Sequence, residues 1–369
     1  MISSHAVALL RHDGQQVIES VTLWRLRSLL LHMIRLPLIA LALLSLSCAV
    51  TAQRGWRNRN VEPPALKNFY YETWEYDSLH AASGQASFSI YLPKEHDFAK
   101  NKDRKYPWIL WLPGFGGPDD FQTRGGAATL DKLRSEEQIP DVALVIFRAP
   151  GGRGRTTYMN GESIGDIEDL IVKDLVKHVE GKFRVSSDRK NRCVMGVSAG
   201  GFGALKIALR HPGMFGAVAT HSAAILPADP ADLAGYAENT VMRYLRGGLR
   251  AQLGDPIDPV KWAEVMPLGI VGLKKPDDLY GLQVYFDAGT DDRYGFFEPN
   301  VELAAAMKAN GHKHFFRPVE DGGHAWGSPA MTSNLRHSFR FAGRALAGQD
   351  AIKAARDAAA KSKTTEAGK

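Results

Sequence analysis

One serine stands in a glycine pattern that suits nucleophilic chemistry. Residues 194–203 read V-M-G-V-S-A-G-G-F-G, which places Ser198 between Gly196 and Gly200 in the pattern G-x-S-x-G. The apolar residues before it predict a buried strand, and residues 199–209 predict a helix. A serine on such a strand-to-helix turn is held on a strained backbone with its hydroxyl exposed. The pattern predicts that Ser198 is a nucleophile, although glycine-rich turns of this kind also serve packing alone.

A serine nucleophile needs a base that takes its proton and an acid that orients the base. Where the serine follows a strand in this way, the acid comes next in the chain and the histidine comes last. His324 fits the base, because it lies in G-G-H-A-W just after the last predicted strand. Ligands of parallel sheets gather at that end of the strands. The other downstream histidines occupy predicted helix or strand ends, solvent-facing turns or a helix interior: His211, His221, His312, His314 and His337.

The acid is expected to follow the strand before the last one. Residues 285–292 read Y-F-D-A-G-T-D-D and put carboxylates at the carboxyl end of that strand. Either Asp291 or Asp292 can accept the histidine N–H and fix its tautomer. The other carboxylate would then cap a helix or form a turn, so the residues alone leave both candidates open.

An oxyanion hole requires two backbone N–H groups aimed at the charge that develops on the substrate. One donor is expected from Ala199, directly after the nucleophile. The other is expected from the loop L-P-G-F-G-G after the predicted strand 108–112, where Phe115 or Gly116 is the candidate. This loop lacks the G-K-[ST] of a phosphate-binding loop. No metal or cofactor site is predicted.

Alternating strands and helices must position these residues. Two alternating segments, 70–76 and 86–92, predict an antiparallel pair at the edge of a sheet. Short apolar runs predict buried strands, at residues 108–112, 142–147, 193–195, 216–220, 281–288 and 314–319. Helical patterns lie between them, at residues 126–137, 164–183, 199–209, 298–310 and 332–346. This alternation predicts an α/β fold with a mostly parallel central sheet and helices on both faces.

The first 52 residues contain the features of an export signal. Residues 36–50 form an apolar run after Arg35, which is short for a membrane span but suits the core of a signal peptide. We expect cleavage before Gln53, with Met33 as an alternative start of translation. An uncleaved anchor helix is the competing interpretation. The predicted location is therefore secreted or periplasmic.

The remaining chain divides into a linker at 53–68, one domain at 69–348 and a disordered tail at 349–369. Prolines interrupt residues 223–280, which are expected to form an insertion in the domain. With 44% hydrophobic and 23% charged residues, the chain has the composition of a globular protein. Its net charge of +6 is modest for 369 residues and argues against a nucleic-acid partner. After cleavage only Cys193 would remain, so no internal disulfide is expected.

Together these segments resemble the putative esterase family of α/β-hydrolases, which includes esterase D (S-formylglutathione hydrolase), feruloyl and acetylxylan esterases and mycolyltransferases. The matching segments, from about residue 70 to 345, are L-P-G-F-G-G, residues 171–185, G-V-S-A-G-G-F-G-A-L, D-A-G-T-D-D and G-G-H-A-W. Aligning G-T-x-D with the family's acid favours Asp292 over Asp291. The family's usual H-G is P-G here, at Pro113 and Gly114, a change that keeps the backbone donor.

The resemblance and the export signal together imply a secreted serine carboxylesterase. Ser198 would attack the ester, His324 would move the proton and Asp292 would hold His324. The implied substrates are acyl esters of carbohydrates of the feruloyl or acetyl type, either small molecules or polysaccharides. An acyltransferase of the same family and a non-catalytic binding module on the same fold are the alternatives. No membrane span is expected after signal cleavage, and the oligomeric state stays open.

Overall fold

The computed structural model describes residues 65–346, except for residues 98, 152–154, 237–248, 251 and 326–332. The predicted signal peptide, the linker as far as residue 64 and the predicted tail lie outside the described residues. Within the described part, no helix has the length and apolar character needed to cross a membrane.

Eight strands form one sheet in the order β1-β2-β4-β3-β5-β6-β7-β8. β1 pairs with β2 and β2 with β4 in antiparallel fashion, while all pairs from β4 to β8 are parallel. The predicted antiparallel edge and mostly parallel sheet are therefore confirmed. The strands have these bounds: β1 Phe69–Asp77, β2 Gln85–Pro93, β3 Trp108–Leu112, β4 Ala143–Arg148, β5 Arg192–Val197, β6 Ala217–His221, β7 Gln283–Gly289 and β8 Phe315–Val319.

Helices connect the strands, as the sequence predicted. The α-helices are α1 Asp120–Thr123, α2 Gly126–Ser135, α3 (Ile167–Asp169, a π-helical segment Leu170–Leu175, and Val176–Lys182), α4 Ala199–Arg210, α5 Pro259–Val265, α6 Pro267–Leu273, α7 Phe297–Ala309 and α8 at residues 333–346. Short 3-10 helices occur at Lys94–Asp97, Ala99–Asn101, Arg189–Asn191, Pro230–Tyr236 and Pro276–Leu279.

The strands β3 to β7 are buried on both faces of the sheet. Successive side chains of a strand point to opposite sides, so each strand contributes to two hydrophobic layers. In β3, Trp108 and Leu110 pack with α3, α4, α6 and α7, whereas Ile109 and Trp111 pack with α1, α2 and α8. Cys193 of β5 lies fully buried in the second layer, and burial raises the pKa of its thiol. Its predicted role as a packing residue agrees with this position.

Described residues of the insertion at 223–280 form much of a third hydrophobic cluster. They include Leu226, Trp262 and Met266, which pack together with Phe202 of α4 and Phe296. The indole N–H of Trp262 donates to the carbonyl of Pro227 at 2.9 Å and ties α5 to the start of the insertion. These residues therefore pack on α4 near the turn that carries the candidate nucleophile.

Two local expectations need correction. His312 is buried rather than solvated, and its Nε2 lies 3.0 Å from the carbonyl oxygen of Val271 at the end of α6. The last residues of the predicted linker pack on the domain, since the N–H groups of Lys67 and Asn68 donate to the carboxylate of Asp131 in α2.

Candidate active site

Ser198 lies on the sharp turn between β5 and α4 in a strained conformation. Its φ of 56° and ψ of −121° fall in a region that costs a non-glycine residue about 1–3 kcal/mol. A Cβ atom on Gly196 would lie 2.2 Å from the carbonyl oxygen of Gly200, and one on Gly200 would lie 1.9 Å from that of Leu112. Both glycines are required for this close packing. The N–H of Ser198 donates to the backbone carbonyl of His221 in β6 at 2.9 Å, which helps to hold the turn.

The two predicted sources of oxyanion donors meet at this turn. Ala199 begins α4, where the first amide groups of a helix have no partner within the helix. Gly114 lies against the nucleophile, because a Cβ atom added to it would be 3.1 Å from Cβ of Ser198. Its carbonyl accepts from the N–H of Gly117 at 3.0 Å, which fixes the following peptide plane. Since that peptide is planar and trans, the N–H of Phe115 points opposite to the Gly114 carbonyl, away from the turn that Gly114 closes with Gly117.

The structure separates the two loop candidates. Phe115 directly follows Gly114, the residue that touches the nucleophile. Gly116 is exposed, and a Cβ atom added to it would lie 1.8 Å from the carboxylate of Asp120. Phe115 is therefore the better placed candidate donor, with Gly116 on the outer side of the loop.

Asp292 and His324 form a hydrogen-bonded pair. Nδ1 of His324 lies 2.8 Å from Oδ2 of Asp292, whose side chain is fully buried. Oδ1 of Asp292 accepts from the N–H of Tyr294 at 2.9 Å, so both carboxylate oxygens are engaged. A neutral histidine that donates from Nδ1 keeps Nε2 as a proton acceptor. The pair therefore has the arrangement of a base and its orienting acid.

Asp291 has a different position from its neighbour. Its side chain is exposed, and its backbone N–H donates to the carbonyl of Gly322 at 2.8 Å. A Cβ atom on Gly289 would lie 2.0 Å from the same carbonyl, so the acid loop and the histidine loop pack closely. Asp291 thus supports the contact of the two loops through its backbone. This corresponds to the turn role expected for one of the two aspartates.

Ser198, Asp292 and His324 follow the parallel strands β5, β7 and β8, and they lie at the same edge of the sheet. The segment after β6 connects them. The hydroxyl of Ser222 accepts from the N–H of Ala325 at 3.0 Å, and the N–H of Ala224 donates to the carbonyl of Ser198 at 3.0 Å. Sequence reasoning missed Ser222; its position directly after a strand of the predicted sheet was the available signal.

A second buried histidine–aspartate pair lies beneath the site. Nδ1 of His221 is 3.0 Å from Oδ1 of Asp287 in β7, and its Nε2 is 2.8 Å from the hydroxyl of Ser338 in α8. The Tyr285 hydroxyl donates to the other oxygen of Asp287 at 3.0 Å. The carbonyl of His221 holds the N–H of Ser198, so this network supports the nucleophile turn from below.

Aromatic side chains surround the candidate base. The rings of Tyr294 and Phe296 lie 4.5 and 5.7 Å from the His324 ring. Tyr294 and Phe115 are partly exposed and pack against the hydrophobic cluster of the insertion. The exposed guanidinium of Arg293 lies 4.9 Å above the Tyr294 ring. Across the described part of the chain, no three His, Cys, Asp or Glu side chains are grouped to hold a metal ion.

Comparison with known proteins identifies the family. Residues 80–335 match the family described as "Putative esterase". An esterase of Mycobacterium tuberculosis is 27% identical over 169 residues, covering 45% of this chain and 34% of that protein. The endo-1,4-beta-xylanase/feruloyl esterase of Xylanibacter ruminicola is 26% identical over 175 residues, covering 42% of this chain and 23% of that protein. The matches therefore span about a third or less of these relatives.

Solved structures share the fold over a longer range. A ferulic acid esterase is 25% identical, with a TM-score of 0.58, and the match covers 75% of this chain and 99% of that one. The S-formylglutathione hydrolase from Agrobacterium tumefaciens is 15% identical, with a TM-score of 0.60 and coverage of 78% and 99%. The second likeness concerns the fold alone. Because the family match covers more than half of the sequence, the chain belongs to the putative esterase family and has an α/β-hydrolase fold.

Proposed function

We propose that this chain is a serine carboxylester hydrolase in which Ser198, Asp292 and His324 form a catalytic triad. The observation that carries the proposal is the hydrogen bond between His324 and the buried carboxylate of Asp292, at the sheet edge where Ser198 occupies its strained turn. The backbone N–H groups of Ala199 and Phe115 are the proposed oxyanion donors. Family membership supports ester hydrolysis as the reaction.

The reaction proceeds in two halves. His324 Nε2 takes the proton of the Ser198 hydroxyl as its oxygen attacks the ester carbonyl. The resulting oxyanion accepts hydrogen bonds from Ala199 and Phe115. Collapse breaks the bond to the alcohol, which leaves with the proton from His324, and an acyl group remains on the serine. Water then gives a proton to His324 and attacks the acyl-enzyme. Collapse breaks the bond between the acyl group and Ser198, which regains the proton from His324 as the acid is released.

The substrates we propose are feruloyl or acetyl esters of carbohydrates. The relative from Xylanibacter ruminicola and the structure that is 25% identical carry feruloyl or ferulic acid esterase in their names. The partly exposed rings of Phe115 and Tyr294 suit an aromatic acyl group. With the signal peptide predicted at residues 1–52, such an enzyme would act outside the cytoplasm.

The test is a comparison of wild type and Ser198→Ala on p-nitrophenyl acetate, methyl ferulate and feruloylated xylan oligosaccharides. We expect hydrolysis by the wild type and a fall in kcat of about 10⁴-fold or more in the variant, as for loss of a serine nucleophile. Equal rates for the two proteins would refute the nucleophile, and rates no faster than in buffer alone would favour a binding module. Transfer of the acyl group to an added sugar, in place of release as free acid, would favour an acyltransferase.

A further inference from the structure

The loop with the candidate oxyanion donors is held from inside the protein by a tyrosine. Tyr158 is only 1% exposed, and its hydroxyl donates a hydrogen bond to the carbonyl of Pro113. Its ring packs on α4, because a Cβ atom added to Gly203 would lie 2.4 Å from it. A Cβ atom added to Gly200 would lie 2.5 Å from the Pro113 oxygen. The start of the loop is thus held between Tyr158 and the first turn of α4.

Tyr158 is itself fixed in an uncommon conformation. Its φ of 59° lies in the left-handed region, which is strained for a residue with a bulky side chain. The ammonium group of Lys206, whose side chain is fully buried in α4, donates to the carbonyl of Tyr158. The same ammonium lies 2.8 Å from the carboxylate of Glu168 in α3. Burying a charged lysine without a partner costs free energy. The ion pair with Glu168 therefore stabilises Lys206 at the position where it contacts Tyr158.

The acceptor distinguishes this contact from ordinary packing. A buried tyrosine usually finds some partner for its hydroxyl. Here the partner is the residue immediately before Gly114, which touches Ser198, and two residues before Phe115. Proline has no N–H group, so the carbonyl is the polar group by which Pro113 can be held. The tyrosine therefore holds the loop at its proline, next to the segment that leads to Phe115.

We propose that Tyr158 is a positioning residue for the oxyanion hole. Its hydroxyl fixes the Pro113 carbonyl and so the start of the loop, and the hydrogen bond from Gly117 to the Gly114 carbonyl then sets the direction of the Phe115 N–H. The Lys206–Glu168 pair keeps Tyr158 in place. This inference rests on the proposed esterase function, since the oxyanion forms only during acyl transfer at Ser198.

The test is Tyr158→Phe, which removes the hydroxyl and keeps the ring. Since removal of a whole oxyanion donor costs about 10²–10³-fold in kcat, misdirection of one should cost about ten- to a hundredfold. KM should change less than about twofold, because the donor acts in the transition state. Affinity for an aryl trifluoromethyl ketone, which forms an oxyanion adduct on serine, should fall by the same factor as kcat/KM. The matched control is Tyr76→Phe, which removes a buried hydroxyl without a hydrogen-bond partner in the described part of the chain.

Amide hydrogen exchange gives a readout that does not depend on activity. In Tyr158→Phe, exchange at residues 112–121 should accelerate while peptides from β6 and α7 keep their wild-type rates. Unchanged exchange in this loop would overturn the inference, even if the wild type hydrolyses no ester. An unchanged kcat with an active wild type would overturn it as well and would leave the esterase proposal standing. Faster exchange throughout the protein would assign Tyr158 a general packing role and overturn the inference.

Discussion

Both carboxylate oxygens of Asp292 are engaged, one by Nδ1 of His324 and the other by the N–H of Tyr294. The bond from Tyr294 therefore fixes the direction of the carboxylate that orients the imidazole. The exposed neighbour Asp291 makes its contact to the histidine loop through the backbone alone. The two adjacent aspartates offer a direct comparison.

Asp292→Asn should lower kcat by about 10³–10⁴-fold, because an amide nitrogen facing Nδ1 favours the wrong tautomer of His324. Asp291→Asn is the matched control, and its kcat should stay within about threefold of wild type. Steady-state hydrolysis of p-nitrophenyl acetate measures both. Comparable losses in the two variants would contradict the assignment of Asp292 as the orienting acid.

Ser222→Ala should reduce both stability and activity. The substitution leaves the buried N–H of Ala325 without its acceptor, which costs about 1–3 kcal/mol. Because Ala325 follows His324, we also expect kcat to fall about tenfold through misplacement of the base. Urea unfolding and steady-state kinetics measure the two effects.

Ser78→Ala is the control for that variant. Ser78 is a buried serine after β1, four strands from β5, and its hydroxyl accepts from the N–H of Ala81 at 3.2 Å. It should lose stability and keep kcat. If Ser222→Ala also keeps kcat, Ser222 has a purely structural role.

Gly114→Ala should impair the reaction more than the fold. The new Cβ atom would lie 3.1 Å from Cβ of Ser198 and 3.2 Å from the carbonyl oxygen of Val197, so the oxyanion loop must shift. We expect kcat to fall about tenfold or more, as for a misplacement near 1 Å. Gly181→Ala is the control, because Gly181 lies in a helix with open space around it. This variant should gain up to about 1 kcal/mol in the free energy of unfolding and keep its activity. A fully active Gly114→Ala would show that the loop does not contact the reacting atoms.

The buried carboxylate of Glu168 predicts a pH-dependent stability. Burial opposes its ionisation, but the hydrogen bond from His211 and the charges of Lys206 and Arg210 outweigh burial and hold its pKa below the ordinary value of 4.5. The folded pKa lies below the unfolded one, so this carboxylate stabilises the fold above about pH 4.5, and the stabilisation is lost as the pH falls.

Glu168→Gln should therefore lose about 3–5 kcal/mol at pH 7, because the cations keep no charged partner. The difference from wild type should shrink below about pH 4.5. Urea unfolding of both proteins at pH 7, 5 and 4 measures this trend, with Glu298→Gln on the surface of α7 as the control. A difference that stays constant across this range would contradict the charged state of Glu168.

Local patterns in the sequence predicted most of the fold and part of the site. Trp108–Leu112 is a strand with the predicted bounds, because a strand buried on both faces leaves a continuous apolar run. The choice between Asp291 and Asp292 depended on which carboxylate turns inward after β7, which adjacent residues of the same type do not reveal.

Contacts between distant residues could not be predicted from such patterns. Tyr158 and Pro113 are 45 positions apart, and Ser222 and Ala325 are 103 apart. Hydrophobic periodicity reports which face of an element is buried and carries no information on hydrogen bonds between elements. The burial of His312 against α6 was not predicted for the same reason.

The burial of Cys193 in the sheet makes the reactivity of its thiol a measure of how often the sheet opens locally. Its thiol lies in the central strand β5, five residues before Ser198, and a reagent cannot reach it until that strand separates from its neighbours. In a Cys48→Ser background, the rate of thiol labelling in native buffer would measure how often the centre of the sheet is breached. The same assay, with an inhibitor bound covalently to Ser198, would reveal how strongly occupation of the site rigidifies the strand that carries it.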